Sequence, residues 1–259
     1  MPADLNELVA ACNRWLSPDR IKDYCPNGLQ VQGKSRVQTI VTGVTASQKL
    51  IDRAIELNAD LILVHHGYFW KGESSVITGM KYQRIASLIK HDIGLLAYHL
   101  PLDVNDETGN NVELGRLLGF KVTGALSNEG DFALGLTGEC SGEPGLADLA
   151  RMIEQRLGRK PLVIEGTEGA LAGNRKIDKV AWCTGAAQGF LEQAAEQGVD
   201  VYISGEVSEP TVHMARESGV HYIAAGHHAT ERYGVKALGE RLARSFDVQA
   251  VFVDIDNPV

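Results

Sequence analysis

The chain has 259 residues, of which 44% are hydrophobic, so it can bury either one large α/β core or two fused lobes. Its formal net charge of -8, without a stripe of Lys or Arg, argues against a protein that binds the phosphate backbone of nucleic acids. The sequence has no apolar run of about 18 residues and no secretory signal, which predicts a cytoplasmic protein without a membrane span. The cysteines are far apart and form no C-x-x-C pair, which excludes zinc-finger chemistry and predicts reduced, mostly buried thiols rather than a disulfide framework.

Predicted strands and helices alternate through the first half of the chain. Asp4 is expected to cap a helix that ends before Pro18, because the apolar residues between them recur at helical spacing. Residues 37–46 are rich in β-branched side chains and residues 61–64 are all apolar, so a right-handed β-α-β unit is expected there. Further along, the pattern predicts a loop at 67–78, a helix at about 80–91, a strand at 93–98 and a helix at 109–119.

Two histidines, His65 and His66, directly follow the strand predicted at 61–64. In open α/β sheets ligands bind beyond the carboxyl ends of the strands, so imidazoles at this position indicate a functional site. On a straight strand the two side chains should diverge, and diverging histidines can serve two adjacent metal ions. The alternative is that both rings cap the strand end by hydrogen bonding to backbone groups.

The strand and helix pattern of the first half returns after Lys179. VAWCTG predicts a strand, AAQGFLEQAAEQG a helix, and DVYISGE a strand that aligns with DLILVHH at 60–66. The alignment pairs Asp60 with Asp200, His65 with Gly205 and His66 with Glu206. One ligand-type side chain is thus exchanged for another at the end of the equivalent strand, and the two halves are predicted to be copies of one α/β unit.

Each copy also carries an H-x-x-x-acid pattern after its next apolar strand, namely His99 with Asp103 and His227 with Glu231. Each residue alone has an ordinary alternative, because Glu231 can favour a helix dipole and Asp103 can be a turn residue. Nitrogen and oxygen ligands in this number suit two divalent cations, and they favour zinc, iron(II) or manganese over copper. The predicted metal ligands are His65, His66, Asp103, His227 and Glu231.

The predicted organisation is an α/β fold of two pseudo-repeated lobes with a dinuclear metal site between them. The first lobe spans 1–119 and the second spans 177–259. The middle of the chain, 120–176, is predicted to be a connecting scaffold with two strands and a helix at about 146–157, because it has no cluster of metal-type ligands.

Several short motifs together resemble the GTP cyclohydrolase 1 type 2 homologue family, the Nif3-like dinuclear metal proteins. They are LVHHG at 63–67, the H-x-P-L-D segment from His99 to Asp103, SGE at 204–206 and GHHATE at 226–231. The resemblance covers essentially the whole chain and implies a toroidal homohexamer with two divalent ions per subunit, held by the same five residues. This chain has His228 where relatives often carry Tyr, and its short middle leaves no room for the domain that some members insert.

The function that the resemblance implies is metal-dependent hydrolysis of a small molecule, with GTP ring opening and formate release as the reaction in the family name. Water activated by two cations is the nucleophile expected at such a site. His99 and Glu206 are predicted to be catalytic, either as proton carriers or as residues that orient the ligands. The sequence contains no G-x-x-x-x-G-K-[ST] loop, so a phosphate clamp of that kind is not expected.

Two other functions are compatible with the same ligand residues. One is a non-catalytic scaffold or metal chaperone that acts through protein interactions. The other is a ring that threads DNA, which the net charge of -8 opposes. Among the remaining histidines, His228 is predicted to support the site or to lie on the surface, whereas His91, His213 and His221 are predicted to be ordinary structural residues.

Overall fold

A computed structural model describes residues 2–166 and 176–259 of the chain. The chain divides into two compact units. The first consists of Met1–Gly109 and Arg232–Asp256, and the second of Asn110–Glu231 and Asn257–Val259. None of the helices within the described residues combines the length and the apolar content that a membrane crossing requires.

Helices and strands alternate along both units. The helices in chain order are α1 (Leu5–Leu16), α2 (Gln48–Glu56), α3 (Gly79–Lys90), α4 (Leu100–Asp103), α5 (Asn110–Leu118), α6 (Leu146–Leu157), α7 (Leu191–Glu196), α8 (Glu209–Ser218) and α9 (His227–Ser245). The strands are β1 (Ala3–Asp4), β2 (Gly28–Val31), β3 (Arg36–Val37), β4 (Thr39–Thr45), β5 (Leu61–His66), β6 (Gly94–Ala97), β7 (Phe120–Glu129), β8 (Phe132–Cys140), β9 (Leu162–Ile164), β10 (Lys179–Cys183), β11 (Val201–Ser204), β12 (His221–Ala224) and β13 (Gln249–Phe252).

The first unit is built on a five-stranded sheet with the order β13-β4-β5-β6-β2. The first four of these strands are parallel, and β2 pairs antiparallel with β6 at the edge. The strand β5 lies in the middle, and its apolar run from Leu61 to Val64 is fully buried. Such a run is typical of a parallel strand that is covered on both faces, and it places the residues after Val64 at the carboxyl edge of the sheet.

The core of the first unit lies on both faces of this sheet. Leu61 and Leu63 pack into a cluster with residues of α1 and of the part of α9 after Arg232. Ile62 and Val64 pack on the opposite face, in a cluster with residues of α2 and α3. Because side chains alternate along a strand, β5 contributes to both clusters, and each buried Leu or Ile stabilises the fold by about 1.5–3 kcal/mol.

The second unit is built on a six-stranded sheet with the order β7-β8-β10-β11-β12-β9. Its central strands β10, β11 and β12 are parallel, whereas β8 and β9 pair antiparallel with β10 and β12. This centre repeats β4, β5 and β6 of the first unit. The α/β fold class and the internal repeat predicted from the sequence are therefore confirmed.

Two equivalent aspartates, Asp60 and Asp200, make the same hydrogen bonds in the two units. In the first unit Asp60 Oδ2 accepts hydrogen bonds from the backbone amides of Gln38, at 2.9 Å, and Thr39, at 3.1 Å. In the second unit Asp200 Oδ2 accepts from the amides of Asp178, at 3.0 Å, and Lys179, at 2.9 Å. Both carboxylates tie the start of one parallel strand to the start of the next, as the sequence alignment of the two residues predicts.

The unit boundaries differ from the predicted segments 1–119, 120–176 and 177–259. Much of 120–176 belongs to the second sheet, because β8 pairs with β10 and β9 pairs with β12, and residues 167–175 lie outside the described residues. The helix predicted to close the first lobe is α5, which lies in the second unit, where Trp182 Nε1 donates to Asn111 O at 2.8 Å. Strand β13 belongs to the first unit because it pairs with β4.

Candidate metal centre

His65 stands at the carboxyl end of β5 and is completely buried. Its Nδ1 lies 2.9 Å from the carbonyl oxygen of Tyr98. A carbonyl can only accept, so Nδ1 carries the proton and donates, and Nε2 is the nitrogen with a lone pair. This Nε2 lies 3.5 Å from Oδ1 of Asp103. Two of the predicted ligands are thus side by side in the first unit.

His66 lies beside His65, with 4.5 Å between the ring centroids. The divergence expected for side chains on a straight strand is therefore not observed at the end of β5. There Nδ1 of His66 lies 3.1 Å from the hydroxyl of Thr45, its partner across β4 and β5, and hydrogen-bonds to it. In both histidines Nδ1 is engaged, which directs Nε2 to the site.

The H-x-x-x-acid pattern of the first unit forms one helical turn. The amide of Asp103, the last residue of α4, donates to His99 O at 3.2 Å, so the chain turns back within four residues. A ring nitrogen of His99 also lies within 4.8 Å of a ring nitrogen of His65 and of His66. We call His65, His66 and Asp103 the first ligand group.

The second ligand group consists of His227 and Glu231 in the second unit. They lie one turn apart at the start of α9, and Nε2 of His227 is 3.0 Å from Oε2 of the buried Glu231. On the other side of the ring, Nδ1 lies 2.6 Å from Oε1 of Glu206. Burial lowers the pKa of His227, but the hydrogen bonds and charges of Glu231 and Glu206 raise it by more, to about 9.

Gly185 lies in the loop after β10, directly beside the second ligand group. A Cβ at this position would overlap Glu231 Oε1 and would lie 3.3 Å from His227 Nε2. The backbone φ of Gly185 is also +68°, a conformation that favours glycine. The space in front of Glu231 Oε1 and His227 Nε2 is therefore open because residue 185 is a glycine. Sequence reasoning missed this residue, although a glycine directly after the apolar run VAWCT was a signal for it.

The residues of both groups fit divalent metal ions. They offer imidazole nitrogen and carboxylate oxygen, the donors that zinc, iron and manganese accept in proteins. Each of the three histidines has its Nδ1 engaged by a carbonyl, a hydroxyl or a carboxylate. Such outer contacts fix the tautomer and the orientation of a metal-binding histidine.

The two residues predicted to be catalytic, Glu206 and His99, each take part in a contact between a histidine and a carboxylate. Glu206 holds Nδ1 of His227, so its position is that of a residue that orients a ligand. His99 lies at the start of α4 with its Nδ1 2.7 Å from Oδ1 of Asp23. Sequence reasoning missed Asp23, because it lies in a loop without a periodic pattern.

The remaining histidines are placed largely as predicted. His91 and His213 are exposed, and the buried His221 accepts a hydrogen bond from the amide of Gly166 at 3.1 Å through Nδ1. His228 is buried, with only 8% of the residue exposed, so of its two predicted positions, one supporting the site and one on the surface, the second is wrong. Its backbone amide donates to Val259 O at 3.0 Å.

A cavity of about 470 Å³ lies in the second unit, and Glu206 forms part of its wall. Apolar side chains of Pro161, Leu162 and Val207 line it, together with the cations Arg159 and Lys160. Arg159 donates from Nε and Nη2 to Pro258 O, at 3.2 Å and 2.7 Å, which fixes its guanidinium at the wall. The cavity therefore combines an apolar surface with two cations and with the carboxylate of Glu206, which also contacts His227.

The family model of Duf34/NIF3 (NGG1p interacting factor 3) matches residues 3–258 of the chain. This chain belongs to the Duf34/NIF3 family. A Duf34/NIF3 relative from Pseudomonas aeruginosa, named GTP cyclohydrolase 1 type 2 homolog, is 52% identical over 258 residues and is matched over 100% of both chains. A relative of the same name from Escherichia coli (strain K12) is 53% identical over 253 residues, which are 97% of this chain and 98% of that protein.

Solved structures agree with the Duf34/NIF3 assignment. The structure of protein ybgI, described as of unknown function, superposes with a TM-score of 0.93 and 50% sequence identity, over 99% of this chain and 100% of that one. The resemblance recognised in the sequence motifs is therefore confirmed, and it extends over both units. The names of the relatives describe those proteins as homologues and leave the reaction of this chain to be argued from its own residues.

Proposed function

We propose that the protein is a metal-dependent hydrolase whose five ligands, His65, His66, Asp103, His227 and Glu231, hold two divalent ions per subunit. The observation that carries this proposal is the geometry of the ligand histidines within each unit. All three have Nδ1 fixed by another group and present Nε2, and a carboxylate oxygen lies within 3.5 Å of Nε2 in His65 and in His227. Imidazole rings held through Nδ1 in this way are typical of metal-binding histidines, which supports the proposal.

The chemistry proposed at the site divides between the ions and the chain. When bound, divalent cations lower the pKa of a coordinated water towards neutrality and polarise the group under attack. The chain provides ligands in fixed orientations, because Tyr98 O, Thr45 and Glu206 hold the three imidazole rings. His99 lies near His65 and His66, where it can accept a proton from a reacting water and return it to the leaving group.

The proposed substrate is a small anionic molecule, and a nucleotide is the first candidate. The P. aeruginosa and E. coli relatives are named GTP cyclohydrolase 1 type 2 homolog, and the family resemblance implies opening of a purine ring with release of formate. The cavity beside Glu206 supports an anionic substrate, because Lys160 and Arg159 lie on its wall next to apolar side chains. These cations provide charge for phosphate groups without a loop of the G-x-x-x-x-G-K-[ST] type.

We also propose a cytoplasmic homohexamer with a toroidal shape, as the family resemblance implies. The free thiols of Cys12, Cys25 and Cys140 support a reducing compartment. The absolute mass of particles in solution, measured by light scattering, tests the assembly against the subunit mass of 28.0 kDa.

The experiment for the proposed function uses the full chain, loaded separately with zinc, iron(II) or manganese. It is incubated with GTP, other nucleotides and simple phosphate esters, and product and formate release are measured. We expect turnover that disappears in Glu231→Ala and persists in His213→Ala, a variant of an exposed histidine. Bound metal without turnover on any of these substrates would instead support the non-catalytic scaffold or metal chaperone.

A further inference from the structure

Asp23 is a buried carboxylate that contacts His99 beside the first ligand group. Its side chain is only 3% exposed. Oδ1 accepts from the amide of Tyr24 at 2.6 Å and lies 2.7 Å from Nδ1 of His99. Oδ2 accepts from the amide of Leu100 at 2.9 Å and from Nδ2 of Asn27 at 2.8 Å. These four contacts hold the carboxylate of Asp23 in one orientation.

The charge state of Asp23 agrees with this geometry. Burial raises the pKa of Asp23, but the hydrogen bond and the charge of His99, with the bonds from Asn27 and Tyr24, bring it below its ordinary value. The group is therefore a carboxylate at neutral pH, and a carboxylate only accepts hydrogen bonds. The proton between the two side chains consequently lies on Nδ1 of His99, and in the neutral imidazole Nε2 is the nitrogen that carries the lone pair.

The backbone and the ring of His99 are held from other sides as well. The amide of His99 donates to Oδ1 of Asn27 at 2.7 Å, so the loop that carries Asp23 is tied to the start of α4. The ring of Trp70 stands edge-on to that of His99, with centroids 4.9 Å apart. The centroids of His65 and His66 lie 5.0 Å and 5.8 Å from that of His99. The ring thus occupies a fixed place beside two predicted ligands.

We propose that Asp23 is a positioning residue that acts through His99. Its carboxylate keeps His99 in the Nδ1-protonated tautomer and turns Nε2 towards the first ligand group. This inference rests on the proposed hydrolase function. As the oxygen of a water molecule bonds to the attacked centre, a proton of that water passes to Nε2 of His99. The bond to the leaving group breaks, and the same proton passes to the leaving group, so His99 returns to its initial state.

Two other roles for Asp23 make different predictions. Asp23 and Asn27 can serve only to tie the loop to α4, in which case the tautomer of His99 has no consequence for turnover. Alternatively, His99 can be a metal ligand, because Glu206 contacts Nδ1 of His227 in the same way. In that case changes at Asp23 or His99 lower the amount of bound metal.

The first experiment determines the tautomer of His99 by long-range ¹⁵N–¹H correlation in the metal-free full chain labelled with [¹⁵N]histidine. The chain has eight histidines, and His99→Asn identifies the signals of His99 by their loss. We expect Nδ1–H in the wild type and a shift to Nε2–H in Asp23→Asn, because the new amide can donate to Nδ1. Asp60→Asn is the matched control, since Asp60 also accepts from backbone amides but does so at the amino end of β5.

The second experiment measures metal content and turnover of the same variants after loading. In Asp23→Asn we expect bound metal unchanged, a fall in kcat of about 10²- to 10⁴-fold and a KM within threefold of the wild type. Asp23→Glu should restore part of kcat, because it restores an acceptor at Nδ1. Asp60→Asn should leave kcat unchanged.

Three outcomes overturn the assignment of Asp23. They are an unchanged tautomer in Asp23→Asn, loss of metal in Asp23→Asn or His99→Asn, and full kcat in Asp23→Asn despite a changed tautomer. If the wild type turns over no substrate, the proposed hydrolase function fails, and with it the catalytic use of His99. The tautomer measurement still decides whether Asp23 positions the ring, so the two failures are distinguishable.

Discussion

The two ligand groups hold their histidines with different partners. In the first group neutral groups fix the rings, namely the carbonyl of Tyr98 for His65 and the hydroxyl of Thr45 for His66. In the second group a single ring, His227, lies between two carboxylates. The equivalent strands β5 and β11 explain this difference, because the first ends in two histidines where the second continues with Gly205 and Glu206.

This difference shows how one repeated α/β unit can provide two kinds of metal ligand. The first group supplies two imidazoles whose Nδ1 atoms contact neutral groups, together with the carboxylate of Asp103. The second supplies one imidazole, which lies between the carboxylates of Glu231 and Glu206, so in the absence of metal it retains a proton on His227, whose pKa is raised to about 9. Metal must therefore compete with a proton in the second group.

The largest expected effect is loss of metal when one group is broken. His66→Ala removes an imidazole from the first group, and Glu231→Ala removes the buried carboxylate from the second. In each variant we expect bound metal to fall to half or less of the wild-type amount, with circular dichroism unchanged because the ligands lie at element ends. Metal content is measured after gel filtration, with His213→Ala as the control. Full occupancy in both variants would show that these residues are not ligands.

A change at Gly185 should damage the second group alone. In Gly185→Ala the new Cβ overlaps Glu231, and the positive φ costs a further 1–2 kcal/mol, roughly. We expect a lower unfolding midpoint in denaturant and weaker metal binding, while Gly189→Ala, where a Cβ meets nothing within 4 Å, should resemble the wild type. Equal metal binding in the two variants would mean that the approach of Gly185 to Glu231 is not important.

The matched aspartates allow the two units to be compared away from the ligands. Asp60→Ala and Asp200→Ala each remove the acceptor of two backbone amides, and we expect each to lower the free energy of unfolding by about 1–3 kcal/mol. Urea denaturation measures the loss in both variants. An unchanged free energy of unfolding in either variant would contradict the importance of these hydrogen bonds, and metal loss in either would contradict a purely structural role.

The smallest expected effect is on the protons released when metal binds. At pH 7.5 His227 is largely protonated without metal, since its pKa is about 9, so binding should release about one proton from it. Glu206→Gln removes one of the charges that raise this pKa, and fewer protons should be released. Calorimetry in buffers of different ionisation enthalpy gives the number of protons released per bound metal ion. Thr45→Val, which alters the neutral partner of His66, should release as many as the wild type. Equal release in all three proteins would contradict the charge difference between the groups.

Local patterns in the sequence predicted the strand ends and the places of the candidate ligands on them. The apolar run before His65 predicted a buried central strand, and the spacing of His227 and Glu231 matched one helical turn. The predicted helices at about 80–91 and 146–157 are observed as α3 and α6. These features depend on neighbouring residues, which is why periodicity finds them.

The features that the sequence did not predict depend on distant parts of the chain. Asp23 contacts a histidine 76 positions away, and no periodic pattern connects them. The unit boundaries were displaced because the pairing of β8 with β10 and of β13 with β4 cannot be inferred from local propensity. The role of Gly185 depends on its backbone φ and on the approach of Glu231, neither of which the residue type specifies.

The metal content of the freshly purified full chain tests the central proposal most directly. Inductively coupled plasma mass spectrometry, combined with amino-acid analysis, gives the number of zinc, iron and manganese ions per subunit. We expect about two divalent ions per wild-type subunit, either as purified or after loading and removal of excess metal. A wild-type protein that retains less than one ion per subunit after loading would contradict the proposal that the two ligand groups hold a dinuclear centre.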